Sequence, residues 1–432
     1  MTRIAITAAA MLVAAAALSA GGAAQRADAF GASRDHPAIR YTDGAVATPV
    51  SELNERLERG AAHLEFDPVS GYLRSLLSAL QVPIESQLLV FSETSFQARF
   101  INRQNPRAVF FTDRLAVGFV RGGEVLEVAA QDPRQGTIFY SLTQAATPAP
   151  RLVRNEKCLA CHLSWDTLAV PGPFVLTTLP RQSDNDYANG GPVDHRTPIA
   201  ERWGGWYVTG ARVPARQMGN VELVQPKLPP SGPKPALAPR SVEGLFDLRG
   251  YPTPYSDVVA LMVLEHQAHA TNLITRAGWE FRQAEYEART RDGGLLVTPG
   301  AMALPARTQQ AVEALVEYFL FADEAALPEP IRGSSGFAEK FSAAGPRDSK
   351  GRGLQELQLE TRLLRYPCSF MIYSPGFEGL PDEVKAAVSA RISDVLDGRD
   401  SSPKYRHLSP DDRRAIVEIL RETAPGVVRH FL

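Results

Sequence analysis

The residues with the most specific chemistry lie together near the middle of this 432-residue chain, in the stretch KCLACHLSW. Cys158 and Cys161 are two of only three cysteines, and His162 follows the second one directly. A close cysteine pair can serve dithiol redox exchange, structural zinc binding or covalent attachment of a porphyrin. The neighbouring residues discriminate between these uses.

The adjacent histidine favours the porphyrin. Two thiols on one turn can form thioethers at one edge of a haem, and the next residue then lies beneath the iron as an axial ligand. A dithiol site has no use for the histidine, and a zinc site needs four ligands, whereas Cys368 is distant in sequence and is expected to be a buried, inert thiol. The spacing therefore predicts one covalent haem c that needs Cys158, Cys161 and His162.

The ligand on the other side of the iron determines what such a haem can do. A methionine or a second histidine gives an electron-transfer site, whereas an open face permits catalysis. Met218 is the main candidate, because the Gly-Asn after it allows a backbone turn near the haem. His266 and His269 are alternatives on an apolar stripe of a predicted helix, where they can instead be hydrogen-bonded core residues. Met371 and the loop residue His195 are further alternatives.

The segment ERWGGWYVTG is expected to contact the haem. Trp203 and Trp206 have large apolar faces suited to a porphyrin edge, and Arg202 can donate paired hydrogen bonds to a propionate. The alternative is that this segment is an aromatic strand in a protein core.

Two resemblances agree with this interpretation. CLACH followed by GPFVL resembles class I cytochromes c, which implies that the backbone carbonyl of Pro173 accepts a hydrogen bond from the second nitrogen of His162. The runs CLACH, DHRTPIAERWGGWYVTG, MGN and HQAHATNLITR resemble a family of exported bacterial monohaem cytochromes with long flanking regions. That resemblance implies haem binding and export, without a particular substrate.

The N-terminal residues predict export. Arg3 precedes an apolar run from Ile4 to Ala20, and small residues follow, as in a secretory signal peptide cleaved after Ala24 or Ala29. An uncleaved membrane anchor is the alternative. We expect a periplasmic or otherwise exported protein with no membrane span after signal cleavage. The net charge of -2 argues against nucleic acid as a partner, which leaves a redox partner protein.

Hydrophobic patterning predicts an α+β protein in which an antiparallel strand region and a cytochrome c-like haem segment precede a mainly α-helical C-terminal half. The predicted segments are a signal peptide (1–29), an N-terminal helical segment (30–86), a β-rich region (87–143), a haem-binding segment (144–223), a proline-rich linker or loop (224–240) and an α-helical region (241–432). Strands are expected at LLVF, FQARF, AVFFT, LAVGFV, EVLEVAA and GTIFYSL. Helices are expected at SELNERLERG, at GYLRSLLSAL and over 256–290, 306–327, 381–397 and 409–422.

Together these features predict a periplasmic c-type cytochrome that carries single electrons between redox partners. A shuttle needs only about a hundred residues, a common domain size, so the extra mass keeps two alternatives open. One is a haem enzyme, peroxidase- or oxidase-like, with a histidine-lined distal pocket. The other is a haem-based sensor subunit.

Overall fold

The computed structural model describes residue 30 and residues 33–179, 190–223, 236–291 and 304–427. The predicted signal peptide and most of the predicted proline-rich segment lie outside these residues, so the predictions about them stay predictions. Within the described ranges the protein is α+β, as expected, with an antiparallel sheet and a mostly helical C-terminal half.

A seven-stranded antiparallel sheet in the order β6-β5-β4-β3-β2-β1-β9 forms the centre of the molecule. Its strands are β1 (Leu88–Val90), β2 (Arg107–Phe111), β3 (Leu115–Phe119), β4 (Val125–Asp132), β5 (Gly136–Thr143), β6 (Val153–Arg154) and β9 (Trp206–Tyr207). A separate hairpin pairs β7 (Val175–Thr178) with β8 (Gly190–Val193). The two outermost strands of the large sheet, β6 and β9, come from the predicted haem-binding segment rather than from the β-rich region.

One predicted strand is wrong. FQARF forms a single 3-10 turn at Ala98–Phe100 rather than a strand. The side chain of Gln97 explains the difference, because its amide accepts from the backbone N–H of Glu124 at 2.9 Å and donates to the carbonyl of Val125 at 3.1 Å. Side-chain hydrogen bonds to the β3–β4 connection therefore hold this segment in place of a sheet ladder.

The helices of the described chain follow the apolar periodicity closely. They are α1 (Pro49–Glu58), α2 (Leu73–Ala79), α3 (Leu159–His162), α4 (Val258–Arg291), α5 (Ala306–Phe319), α6 (Phe337–Ala344), α7 (Pro375–Glu378), α8 (Asp382–Leu396) and α9 (Pro410–Thr423). The expected helix over 306–327 ends early at Phe319, because Phe321 and Asp323 have left-handed backbone angles, with φ of 56° and 62°. None of the helices in the described ranges is long and apolar enough to cross a membrane.

Alternation along the strands gives the sheet two buried faces. Leu88 and Val90 lie in a core with α4 and the C-terminal helices, whereas Leu89 and Phe91 lie in a second core with α1 and α2. We call the first the α4 face of the sheet. The candidate site described next lies on this face.

Candidate cofactor site

The Cys-x-x-Cys-His segment forms one compact turn. The side chain of Asn155 accepts from the backbone N–H of Lys157 at 3.2 Å and starts a 3-10 turn that continues directly into α3. Cys158, Cys161 and His162 are spaced by three and four residues, so they lie on one side of that turn. The local sequence therefore presents both thiols and the imidazole in one direction.

All three side chains line a cavity of about 310 Å³ between this turn and the α4 face of the sheet. The sheet contributes Ala116, Gly118 and Ala129, three small residues on neighbouring strands. Larger side chains at these positions would occupy the space above the strands. Leu264 and Ala268 of α4 complete the wall opposite the strands.

The imidazole of His162 has a defined tautomer. Its Nδ1 lies 2.9 Å from the carbonyl oxygen of Gly172, which can only accept, so Nδ1 carries the proton. Burial lowers the pKa of His162, so the ring is neutral at pH 7 and Nε2 keeps its lone pair. The rings of Phe139 and Phe174 flank it at centroid distances of 4.8 and 5.0 Å. A neutral, oriented imidazole of this kind is a metal ligand.

The resemblance to class I cytochromes c predicts the carbonyl of Pro173 as the acceptor for His162, but the observed acceptor is the residue before it. The carbonyl that accepts from Nδ1 belongs to Gly172, while the carbonyl of Pro173 accepts from Nδ2 of Asn272 at 2.8 Å. A Cβ atom on residue 172 would lie 1.8 Å from Oδ1 of Asn272, so α4 packs directly on this glycine. The sequence offered no local signal for Asn272, because it is remote from the motif in the chain.

The two thiols are free, and Cys158 lacks the lowered pKa of a redox-active cysteine. Burial raises the pKa of Cys158 to about 11, whereas reactive cysteines have a lowered pKa. Cys368 is fully buried, as expected, and its pKa is likewise raised, to about 12. Across the residues that the structure describes, no group of three or more His, Cys, Asp or Glu side chains is arranged to hold a metal ion.

A charged pair lies on the sheet side of the cavity. Arg107 and Glu127 both line it and form an ion pair, with side-chain exposures of 25% and 18%. Nε of Arg107 is buried and has no hydrogen-bond partner among the described residues, so the guanidinium has a donor to spare. Gly118 makes room for this arginine, because a Cβ there would lie 2.6 Å from its terminal nitrogen. Sequence reasoning missed the pair, although charged residues within apolar strands were a visible signal.

The aromatic segment reaches the cavity only in part. Trp206 lines it and donates its indole N–H to the carbonyl of Leu176 at 2.8 Å. Trp203 is fully buried elsewhere in the core on the α4 face. It is not among the residues that line the cavity.

The expected role of Arg202 at a propionate is not supported by its position. Its guanidinium is 2% exposed and pairs with Glu265 at 3.0 Å. The remaining donors bind the carbonyls of Thr197 at 2.6 Å and His195 at 2.9 Å. Arg202 is therefore committed to internal partners.

The candidates for a second axial ligand also lie away from the cavity. The described residues that line it include no methionine, and His162 is their only histidine. Met218 is half-buried, and its backbone N–H donates to the carbonyl of Arg202 at 3.0 Å. Met371 is 2% exposed in the core on the α4 face. The structure thus brings none of the named ligands opposite His162.

The other histidines form a separate buried cluster. His195 and His266 share a hydrogen bond of 2.8 Å between their Nδ1 atoms, and Nε2 of His266 lies 2.7 Å from the hydroxyl of Ser369. His269 contacts the guanidinium of Arg196 at 3.1 Å. On α4, Leu264 and Ala268 face the cavity, which turns His266 to the opposite side of the helix. For His266 and His269 this placement favours the interpretation as hydrogen-bonded core residues, whereas His195, predicted as a loop residue, is buried with them.

Two thiols and one neutral imidazole on the wall of a mostly apolar cavity can hold a flat, hydrophobic cofactor and coordinate its metal. Comparison of the chain with protein-family models, with curated proteins and with solved structures found no match. The function is therefore inferred from the cavity and its residues.

Proposed function

We propose that this chain is an exported c-type haem protein that holds one haem through Cys158, Cys161 and His162 and carries single electrons between redox partner proteins. The observation that carries the proposal is that all three side chains line one cavity. The predicted signal peptide supports it further, because haem attachment of this type follows export. When bound, the haem supplies reversible one-electron chemistry at its iron.

The lining of the cavity suits such a group. Its volume of about 310 Å³ is within the range of ligand sites, and most of its lining is apolar. The small residues Ala116, Gly118 and Ala129 leave room for a flat ligand above the strands, and Trp206 and Phe174 add aromatic surface at the sides. The residues present therefore suit a porphyrin better than a polar substrate.

Two residues of the cavity lining, His162 and Arg107, suit the two kinds of group on a haem. His162 would coordinate the iron in this proposal, since its Nδ1–H is held by the carbonyl of Gly172 and its Nε2 has the free lone pair. Arg107 is the residue able to pair with a carboxylate of the ligand, because its Nε is buried and has no described partner. Glu127, already paired with Arg107, keeps that guanidinium in place.

A haem enzyme or sensor is the second candidate, and one observation favours it. No methionine and no further histidine is found among the described residues that line the cavity, so the iron has no evident second protein ligand. An open coordination position permits binding of a small molecule, and a neighbouring ion pair such as Arg107–Glu127 can orient it. This candidate keeps the same haem attachment and differs only in what the iron does.

Haem attachment is tested by producing the full chain in the periplasm together with the haem-attachment machinery and extracting it with acidic acetone. We expect the haem to stay on the polypeptide, and to be lost or only singly linked in the variants Cys158→Ala and Cys161→Ala. Cys368→Ala is the matched control, because that cysteine is buried and does not line the cavity, and it should keep its haem. Haem in the organic layer of the wild-type sample would refute the proposal.

Carbon monoxide separates the two functions. If the ferrous protein binds carbon monoxide slowly or not at all, the iron has a second ligand and electron transfer is favoured. Rapid binding shows an open position and favours the enzyme or sensor.

A further inference from the structure

A second cavity, of about 550 Å³, opens on the α4 face of the sheet beside the cofactor cavity. It lies where β2 ends, between the β2–β3 turn, Gln267 of α4 and the helix α6. The two cavities share no lining residue, although they meet along β2, where Val109 lines the first and Phe111 the second. The electron-transfer proposal makes no use of this second cavity.

Five aromatic rings form much of its wall. They are Phe111, Phe337, Phe341, Phe370 and Tyr373. The rings of the four phenylalanines contact one another in series, with centroid distances of 5.5, 5.6 and 5.0 Å. Aromatic faces carry partial negative charge, so a wall of this kind attracts a cation as well as apolar groups.

Among the residues that line the cavity, two carboxylates, Asp113 and Glu85, stand against one cation, Lys340, so the lining has one negative charge in excess. Asp113 lines the cavity with its side chain open to solvent, and it forms no ion pair and no side-chain hydrogen bond with a described residue beyond a bond from its own backbone N–H. The surrounding protein raises the pKa of its carboxyl group, while the charge of Arg114 lowers it. Glu85 also lines the cavity, but Lys340 neutralises it at 2.6 Å. Arg114 follows Asp113 in the chain and does not line the cavity. An open carboxylate therefore shares this cavity with an aromatic wall.

We propose that this second cavity binds an organic cation, either a quaternary ammonium or a protonated alkylamine, between Asp113 and the aromatic wall. A cation would pair with the carboxylate of Asp113 and would contact the aromatic ring faces at the same time. An anion would be repelled by Asp113. A neutral ligand would cover the carboxylate without giving it a partner.

Calorimetric titration of the full-length protein with choline and with butylamine tests the proposal. Dimethylbutanol, the neutral carbon isostere of choline, is the control ligand. We expect at least one of the two cations to bind about tenfold or more tightly than dimethylbutanol, since cation–π and ionic contacts together act only on the charged ligand. The preferred cation distinguishes the two ligand types. Equal affinity for choline and its neutral isostere, or binding of neither cation, would overturn the proposal.

Two substitutions locate the site. Asp113→Asn should weaken the preferred cation about tenfold. Phe341→Leu, which keeps apolar bulk but removes a ring face, should weaken it several-fold and leave dimethylbutanol unchanged. The matched control is Asp382→Asn, which removes the same charge from a side chain that is 95% exposed, and it should bind like the wild type. If Asp113→Asn also binds like the wild type, the cation does not bind in this cavity.

Discussion

At the scale of single residues, the orientation of His162 depends on contacts made by α4. The carbonyl of Gly172 accepts from Nδ1 of His162, and the next carbonyl, that of Pro173, accepts from Asn272. Asn272 thus fixes the backbone of residues 172 and 173, which in turn orients the imidazole of His162. It is a positioning residue, since it acts on His162 only through the backbone of residues 172 and 173.

The first prediction concerns the close packing of Asn272 on Gly172. Gly172→Ala should destabilise the protein by about 1–3 kcal/mol, because its Cβ would lie 1.8 Å from Oδ1 of Asn272. Asn272→Ala alone should lose about 1 kcal/mol with its hydrogen bond to Pro173. In the double variant the clash is absent, so urea unfolding should give a smaller loss than the sum of the two. Strictly additive losses would show that the two side chains do not meet.

The second prediction concerns the buried pair His195–His266. Burial lowers the pKa of His266 to about 3 from the ordinary value of 6.5. Between these two values His266 is protonated in the unfolded chain and neutral in the folded protein. The free energy of unfolding therefore falls as the pH falls from about 6.5 towards 4.

We expect His266 to contribute about 1.4 kcal/mol per pH unit to that loss. The measurement compares urea unfolding at pH 7, 6 and 5 for the wild type and His266→Gln. The variant should be less stable at pH 7, because Ser369 and His195 lose a partner of matching shape, but it should have the shallower slope. Titrating groups remote from the pair are common to both proteins and cancel in the difference. His195 titrates in both proteins, and the variant relieves it of the charge of His266, which also makes the slope of the variant shallower. Parallel pH profiles would contradict this.

At the scale of elements, the start of α4 is joined to a distant loop through one carboxylate. Asp257 is fully buried and accepts from the backbone N–H groups of Val259 at 2.9 Å, Ser334 at 2.7 Å and Ser335 at 2.9 Å. It caps the helix and also fixes the chain that leads into α6. Both cavities have walls on α4, so the position of this helix matters for each.

The third prediction is that Asp257→Ala lowers the free energy of unfolding by about 3–5 kcal/mol, because a helix cap is lost and two further, partly buried N–H groups lose their acceptor. Asp257→Asn should lose about half of that, since one oxygen remains as an acceptor. Urea unfolding of both variants gives the comparison. Asp382→Asn, an exposed carboxylate in the first turn of α8, is the control and should change stability by less than about 1 kcal/mol. Equal losses for Asp257→Ala and Asp257→Asn would contradict the shared-acceptor explanation.

At the scale of the whole molecule, the two cores are joined through the sheet. Neighbouring residues of β2 point into different cores, with Phe110 on the side of α1 and α2 and Phe111 on the α4 face. If the sheet unfolds, the apolar residues of both cores become exposed. We therefore expect the described parts of the chain to unfold together.

The fourth prediction follows from this shared sheet. Phe110→Ala should cost about 3–5 kcal/mol, and the melting of the C-terminal helices, which pack in the other core, should shift with it. Far-UV circular dichroism and tryptophan fluorescence recorded during heating should follow one common transition. Two transitions, of which Phe110→Ala moves only one, would show that the cores are independent.

Much of the secondary structure is determined by local sequence. The apolar periodicity of α4, α8 and α9 predicted these helices to within a few residues. α8 and α9 each bury one side, whereas α4 is buried on nearly all sides over its first half. The β-branched and aromatic runs likewise predicted β2 to β5. FQARF had a strand-like composition but lacked a ladder partner, since Gln97 binds the β3–β4 connection instead. The composition of a segment does not determine which other segment it will hydrogen-bond to.

The sequence by itself also determined how the candidate site is grouped: Cys158, Cys161 and His162 share one turn because spacings of three and four residues bring side chains to one side. Only the tertiary structure decided what surrounds them. The ion pair Arg107–Glu127 links different strands, and Asn272 reaches Pro173 from a helix far along the chain. Such contacts depend on how elements pack, and packing is a property of several segments at once. Packing also determines where the other histidine candidates lie: the neighbours of α4 fix the rotation of this helix, and that rotation points its histidines away from the cavity.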